Sequence, residues 1–329
     1  MAISNKRSLM RRGGALLAVL WLSAALSAIA FSLANTVRGE VERTSTAVDS
    51  LRAYYLAEGG VERGILTMLW GLRNQLPPGT PNRYSPANPV LLFSFPSGDA
   101  RVEVIPEASK LNINTSPAED LFRMLIALGV EPGRAREIVL AIIDWRTPAG
   151  FSPFDQFYLS LTPSFRARHA SFEEIEELLV VRGMTPELFY GGYDRDQGGR
   201  FIPRVGVKDC VSVFGATDRF DVNTAQPPVL AAIGLPPEAV AAIVARRRMQ
   251  PFQNPGELGA FSSAGGAGFG RLRVGGNSIF TIRSTARLRL GNGQFSDLRR
   301  TVAAMVKYMP DGYDAPLHIL RWYDNAWIP

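Results

Sequence analysis

The sequence predicts an α+β fold: a long amino-terminal helix packed on a small antiparallel sheet, with a large helical domain inserted into that sheet. Three observations predict it. No charged residue lies between Arg12 and Arg38. Strand-like segments come in two widely separated pairs, Val90 to Phe95 with Ala100 to Ile105, and Ser278 to Leu290 with Phe295 to Tyr308. Between the pairs runs an internal near-repeat with helical patterning.

The first element is a membrane helix. An uncharged run of this length crosses a bilayer, and Lys6, Arg7, Arg11 and Arg12 before it favour a cytoplasmic amino terminus. An ordinary signal peptide carries small-x-small residues after a shorter apolar region, whereas here Gly13 and Gly14 precede the apolar run. Cleavage between Gly14 and Ala15 removes a leader, residues 1–14, and keeps a transmembrane helix over 15–37. Ala24, Ala25, Ser27, Ala28 and Ala30 allow other helices to approach closely. The formal charge of +6 is mostly this leader, which holds four basic residues and no acid.

The helix continues past the membrane. Val37, Val41, Val48, Leu51 and Tyr55 recur at helical spacing and form one apolar stripe, read here as an interface for partner helices. The adjacent Gly59 and Gly60 each cost a helix about 1 kcal/mol relative to Ala, which predicts a kink or a close approach. Proline-rich stretches at 76–81 and 85–89 predict a loop, and the four strands follow, the last two joined through Gly291-Asn292-Gly293. Residues 38–106 and 276–329 thus form two parts of one core, and 107–275 an insertion.

Within the insertion, Leu111-Asn112-Ile113-Asn114-Thr115 is echoed by Phe220-Asp221-Val222-Asn223-Thr224, and each copy continues as helix, apolar-Gly-apolar turn and helix. Thr115 and Thr224 are the expected N-caps, and Gly129 and Gly234 the turn glycines. Helix-hairpin-helix modules that grip nucleic acid use such turns, and Arg246-Arg247-Arg248 invites that alternative, a membrane-anchored DNA-binding or uptake protein. The acids Glu119, Asp120, Glu131 and Glu137 in the first copy oppose it.

Catalysis lacks material. His169, His318 and a single cysteine, Cys210, leave no triad or histidine metal site, so no catalytic residue is assigned and Cys210 is read as core. Asp194 and Asp196 have the alternating oxygens of a calcium loop but lack its later bidentate Glu. The glycine-rich run 265–270 lacks the Lys-Ser/Thr of a phosphate loop and reads as a connector.

The leader, the Leu111 to Thr115 and Asp221 to Ala225 segments, Asp144-Trp145-Arg146, and Val181 to Leu188 together resemble the minor pseudopilin K family of the type II secretion system. The resemblance implies a pilin-like core holding an all-helical insertion with two helix-hairpin-helix or SAM-like repeats. It implies cleavage by prepilin peptidase, methylation of the new amino terminus, and a single-pass bacterial inner-membrane protein with its bulk in the periplasm. The implied partners are I-type and J-type minor pseudopilins, the major pseudopilin, the inner-membrane secretion platform and secreted cargo, with no nucleic acid. The implied place is the pseudopilus tip, and calcium at Asp194 and Asp196 is the one implied cofactor. Val19 stands where major pilins carry a glutamate, which fits a subunit that does not neutralise a neighbour's terminal amine.

Overall fold

A computed structural model describes residues 7–74, 83–196, 198–259, 267–276, 278–309 and 314–326. The chain divides into two units, Met1–Ala53 and Tyr54–Pro329, each considered by itself. Both draw on helix α1, Arg7–Arg73.

In the first unit, the side chains from Leu16 to Leu33 are largely bare, Trp21 being 70% and Phe31 69% exposed. The helix satisfies its own polar groups: the Ser23 and Thr36 hydroxyls donate to the carbonyls of Leu20 and Ser32. It is long and apolar enough to cross a membrane. Such surface is stable in lipid or against other helices, since water exacts the full apolar transfer cost.

In the second unit, the end of α1 lies on a five-stranded antiparallel sheet. Its strands are β1 (Val90–Phe95), β2 (Gly98–Pro106), β9 (Ile279–Arg289), β10 (Phe295–Tyr308) and β11 (Leu317–Tyr323), in the order β1-β2-β9-β10-β11. One side of the sheet buries Val102, Val104, Ile282 and Ala286, with Leu56, Ala57 and Val61 of the helix also fully or almost fully buried. Gly60 explains the close approach. A Cβ there would stand 2.3 Å from Ser284 Oγ and 2.9 Å from the Ala100 Cβ, so Gly60 is a packing device, whereas Gly59 would meet only ordinary contact. The fifth strand corrects the expected four. The proline-rich stretch at 76–81 and the first two residues of the 265–270 run lie outside the described residues, and Ala267–Arg271 is a 3-10 turn.

The segment between β2 and β9 is built as two related halves. The first has β3 (Leu111–Asn112), α2 (Ala118–Ala127), α3 (Pro132–Arg146), α4 (Asp155–Leu159), α5 (Pro186–Tyr190), and a hairpin of β4 (Gly192–Arg195) and β5 (Phe201–Arg204). The second has β6 (Val211–Ser212), β7 (Phe220–Asp221), α6 (Pro227–Ala232), α7 (Pro237–Met249) and β8 (Leu272–Arg273). The short strands pair in parallel, β3 with β6 and β7 with β8. Gly129 and Gly234 turn the two helical hairpins at φ of 85° and 93°, a region glycine enters freely. The predicted threonine caps do not form: Pro117 and Gln226 occupy the N-cap positions without side-chain bonds. Thr115 and Thr224 instead close turns around Asn112 and Asp221, whose side-chain oxygens accept their backbone N–H groups at 3.2 and 3.1 Å.

Candidate functional site and interaction surfaces

The repeat carries a lock that the sequence did not disclose. Asn114 and the backbone of Phe172 exchange two hydrogen bonds, at 3.0 and 2.7 Å, and Asn223 does the same with Phe252, both at 2.8 Å. Arginines close each lock from the second helix. Arg146 donates to the carbonyls of Ile113 and Ser116 at 2.6 and 2.7 Å, and Arg247 to those of Val222 and Ala225 at 2.8 and 2.7 Å. The visible signal was the paired Asn-Thr steps; the arginines sit at different distances along the chain and could be matched only in space.

This accounts for the basic run in α7. Burial lowers the Arg247 pKa to about 10 despite the field of Asp221, so its charge is committed to the fold. Arg246 donates to Glu257 at 3.2 Å, with its ring-facing side over Phe252. Arg248 is exposed. A continuous phosphate-binding face needs several free cations, and this helix presents one from that run.

Asp194 and Asp196 lie at the exposed end of the β4–β5 hairpin. Asp194 pairs with Arg204 at 3.7 Å, and one Asp196 carboxylate oxygen accepts from the backbone of Gly198 and Arg200, both at 2.8 Å. A carboxylate oxygen filled by two backbone donors is poorly placed for a cation, and among the described residues no group of three or more His, Cys, Asp or Glu could hold a metal. These residues therefore do not fit calcium. Cys210 is wholly buried, and burial pushes its thiol pKa well up, which leaves it inert.

A buried ion pair sits beneath the aromatic cluster of Trp145, Tyr158, Phe165 and Phe172. His169, at φ 49°, sets Nε2 3.0 Å from Asp155 Oδ1 and Nδ1 3.2 Å from the Asp144 carbonyl oxygen. Both ring nitrogens face acceptors, so only the imidazolium satisfies both. Burial opposes that charge, yet Asp155 and the Asp144 carbonyl raise the His169 pKa, and Asp155 is held below the usual carboxylate range.

A cavity of about 230 Å³ separates the other side of the sheet from the insertion, between Thr281, Arg283, Met305 and Arg321 on one wall and Glu107, Lys110, Lys208 and Asp209 on the other. Its charges are mutually engaged: Glu107 takes Lys110 at 3.0 Å and Thr281 at 2.6 Å, and Lys208 takes Asp209 at 3.3 Å. This is an ionic seam between core and insertion.

The predicted stripe is bare. Val37, Val41, Val48 and Leu51 are 43–62% exposed in the first unit, and Tyr55 is 61% exposed in the second. Gly14 and Ala15 lie within α1, with open space around Gly14.

A helix long and apolar enough to cross a membrane, an exposed apolar stripe and charges largely engaged in the fold are the features on which comparison with known proteins bears. Profiles of type II secretion system protein K match residues 103–190 and 220–273. A type II secretion system protein K of Klebsiella pneumoniae is 24% identical over 73% of this chain and 74% of its own. A crystal structure of the GspK-GspI-GspJ complex from the enterotoxigenic Escherichia coli type 2 secretion system contains a chain of the same fold. The TM-score is 0.54 at 16% identity, over 85% of this chain and 98% of that one. Together these findings make the chain similar to type II secretion system protein K, in sequence over residues 103–190 and 220–273 and in fold to the solved relative.

Proposed function

We propose that the protein is the subunit at the tip of the secretion pseudopilus, assembling with I-type and J-type minor pseudopilins to start the fibre and support export of folded proteins. The observation that carries this is the uncovered stripe Val37, Val41, Val48, Leu51 and Tyr55, whose apolar area needs partner helices outside the bilayer. The solved relative, crystallised with two such partners, supports the reading. The helical insertion adds bulk that an incoming subunit would meet, which favours a cap over a shaft position. Prepilin peptidase cuts between Gly14 and Ala15, the helix stays in the inner membrane with its amino terminus cytoplasmic, and the bulk is periplasmic. The major pseudopilin, the inner-membrane platform and secreted cargo complete the set of partners.

The test is co-purification of the full chain with both partners from detergent. Val41→Asp with Val48→Asp is expected to reduce recovery of the complex at least tenfold while the insertion keeps its circular dichroism. Full recovery of the doubly charged variant would remove the stripe from the interface.

A further inference from the structure

The sheet side facing the cavity is only partly covered by the insertion. Thr281, Arg283, Ala303 and Met305 line the cavity; further along the same side, Thr285, Arg287, Arg289, Phe295 and Arg299 do not. In the ladder, Asp99 and Arg299 flank Arg287 as direct register partners, and Arg101 partners Thr285. The patch has five arginines, at 101, 283, 287, 289 and 299, against the carboxylates of Asp99 and Glu103. Those carboxylates are taken. Glu103 binds Arg283 at 2.6 Å and also Arg101, and Asp99 binds Arg289 at 2.9 Å.

Arg287 and Arg299 are left facing one another. Among the described residues Arg287 has the Ser296 carbonyl at 3.1 Å and the Phe295 ring but no ion pair, and Arg299, which is exposed, forms no ion pair. Asp297, in the bulge between Phe295 and Arg299, forms none among the described residues either. Like charges directly opposite in a ladder destabilise an isolated sheet. Such a cost is expected where a site serves binding at the expense of the free fold.

We propose that this uncovered patch docks an acidic helix of a neighbouring polypeptide, two of whose carboxylates pair with Arg287 and Arg299. Directly opposed strand residues stand about 5 Å apart, which is the spacing of side chains one helical turn apart. The embedded Asp99 and Glu103 would repel a continuous anionic surface such as a headgroup plane or a nucleic-acid backbone, and so select discrete carboxylates. Leu92, 62% exposed and partnered in register with Arg101, supplies an apolar edge.

The proposal rests on the chain being one member of a heteromeric assembly. It is tested with the full chain in detergent and its co-expressed I-type and J-type partners. Wild-type complex should weaken at least tenfold between 50 and 500 mM NaCl, and Arg287→Gln with Arg299→Gln should weaken it to the same degree at 50 mM. The Arg299→Gln chain alone should melt at a temperature equal to or above that of wild type. A complex that ignores both salt and the double substitution overturns this surface while leaving the assembly reading intact, and so does a lower melting point for Arg299→Gln alone. Absence of any wild-type complex would instead overturn the assembly reading on which it stands.

Discussion

At the scale of single residues, charge in this protein is spent on holding turns. Arg247 satisfies two carbonyls from a half-buried position, so Arg247→Met leaves those acceptors without a donor, whereas Arg248→Met removes only an exposed charge. The first change is expected to cost about 2 kcal/mol in urea unfolding, and the second less than about 0.5 kcal/mol. Equal effects would show that Arg247 is no more structural than its neighbour. His169 makes a pH-dependent contribution. Its folded pKa is raised above 6.5, so its stabilisation is complete below that value and fades as pH rises through the folded pKa. The folded Asp155 pKa is depressed, so its contribution holds above 3.8 and fades as pH falls. Melting temperature should therefore decline from pH 6 toward pH 8.5 in wild type, and His169→Gln should flatten that decline. An unchanged slope in the variant would show that the pair is not the titrating element.

At the scale of elements, the close approach of α1 to its sheet sets what each glycine tolerates. Gly60→Leu must displace Ser284 and Ala100 and is expected to destabilise by about 3 kcal/mol, whereas Gly71→Ala, with open space around it, should stabilise by up to about 1 kcal/mol. Thermal melts of both variants check this, and a harmless Gly60→Leu would mean that the helix lies further out. β1, β2 and β9 were legible because they alternate, and β10 because the Gly-Asn-Gly turn closes the β9–β10 hairpin, Leu290 N–H donating to the Gln294 carbonyl at 2.7 Å. β11 was not, because its residues are half-exposed without alternation, and only the edge of β10 tells it where to lie. The threonine caps misled for a related reason. Asn112 and Asp221 bind the threonines' own N–H groups into turns, and the helices begin only at Ala118 and Pro227, after the turn. Of the candidate sites, the apolar stripe was readable from spacing; the opposed arginines of the sheet needed the register.

At the scale of the whole molecule, the proposed function joins maturation to assembly: cleavage after Gly14 would shed the four basic residues of 1–14 and leave the apolar helix free to serve in a fibre. Mass spectrometry of protein from a host with prepilin peptidase should show loss of residues 1–14, and Gly14→Leu should block it. An intact wild-type amino terminus would argue for a simple uncleaved anchor. The split core has a consequence in time. Pro106 and Phe280 are register partners, so the strand that completes the sheet leaves the ribosome only after the entire insertion has been made. Until then α1 has only the β1–β2 hairpin to pack on, and a two-stranded ribbon is marginal by itself. The insertion can condense around its own buried residues first, and the core closes last, through contacts of very long sequence separation. Premature termination anywhere before β9 would thus yield a chain with a folded insertion and a bare helix, suited to capture by chaperones and proteases before it could enter a fibre and block it.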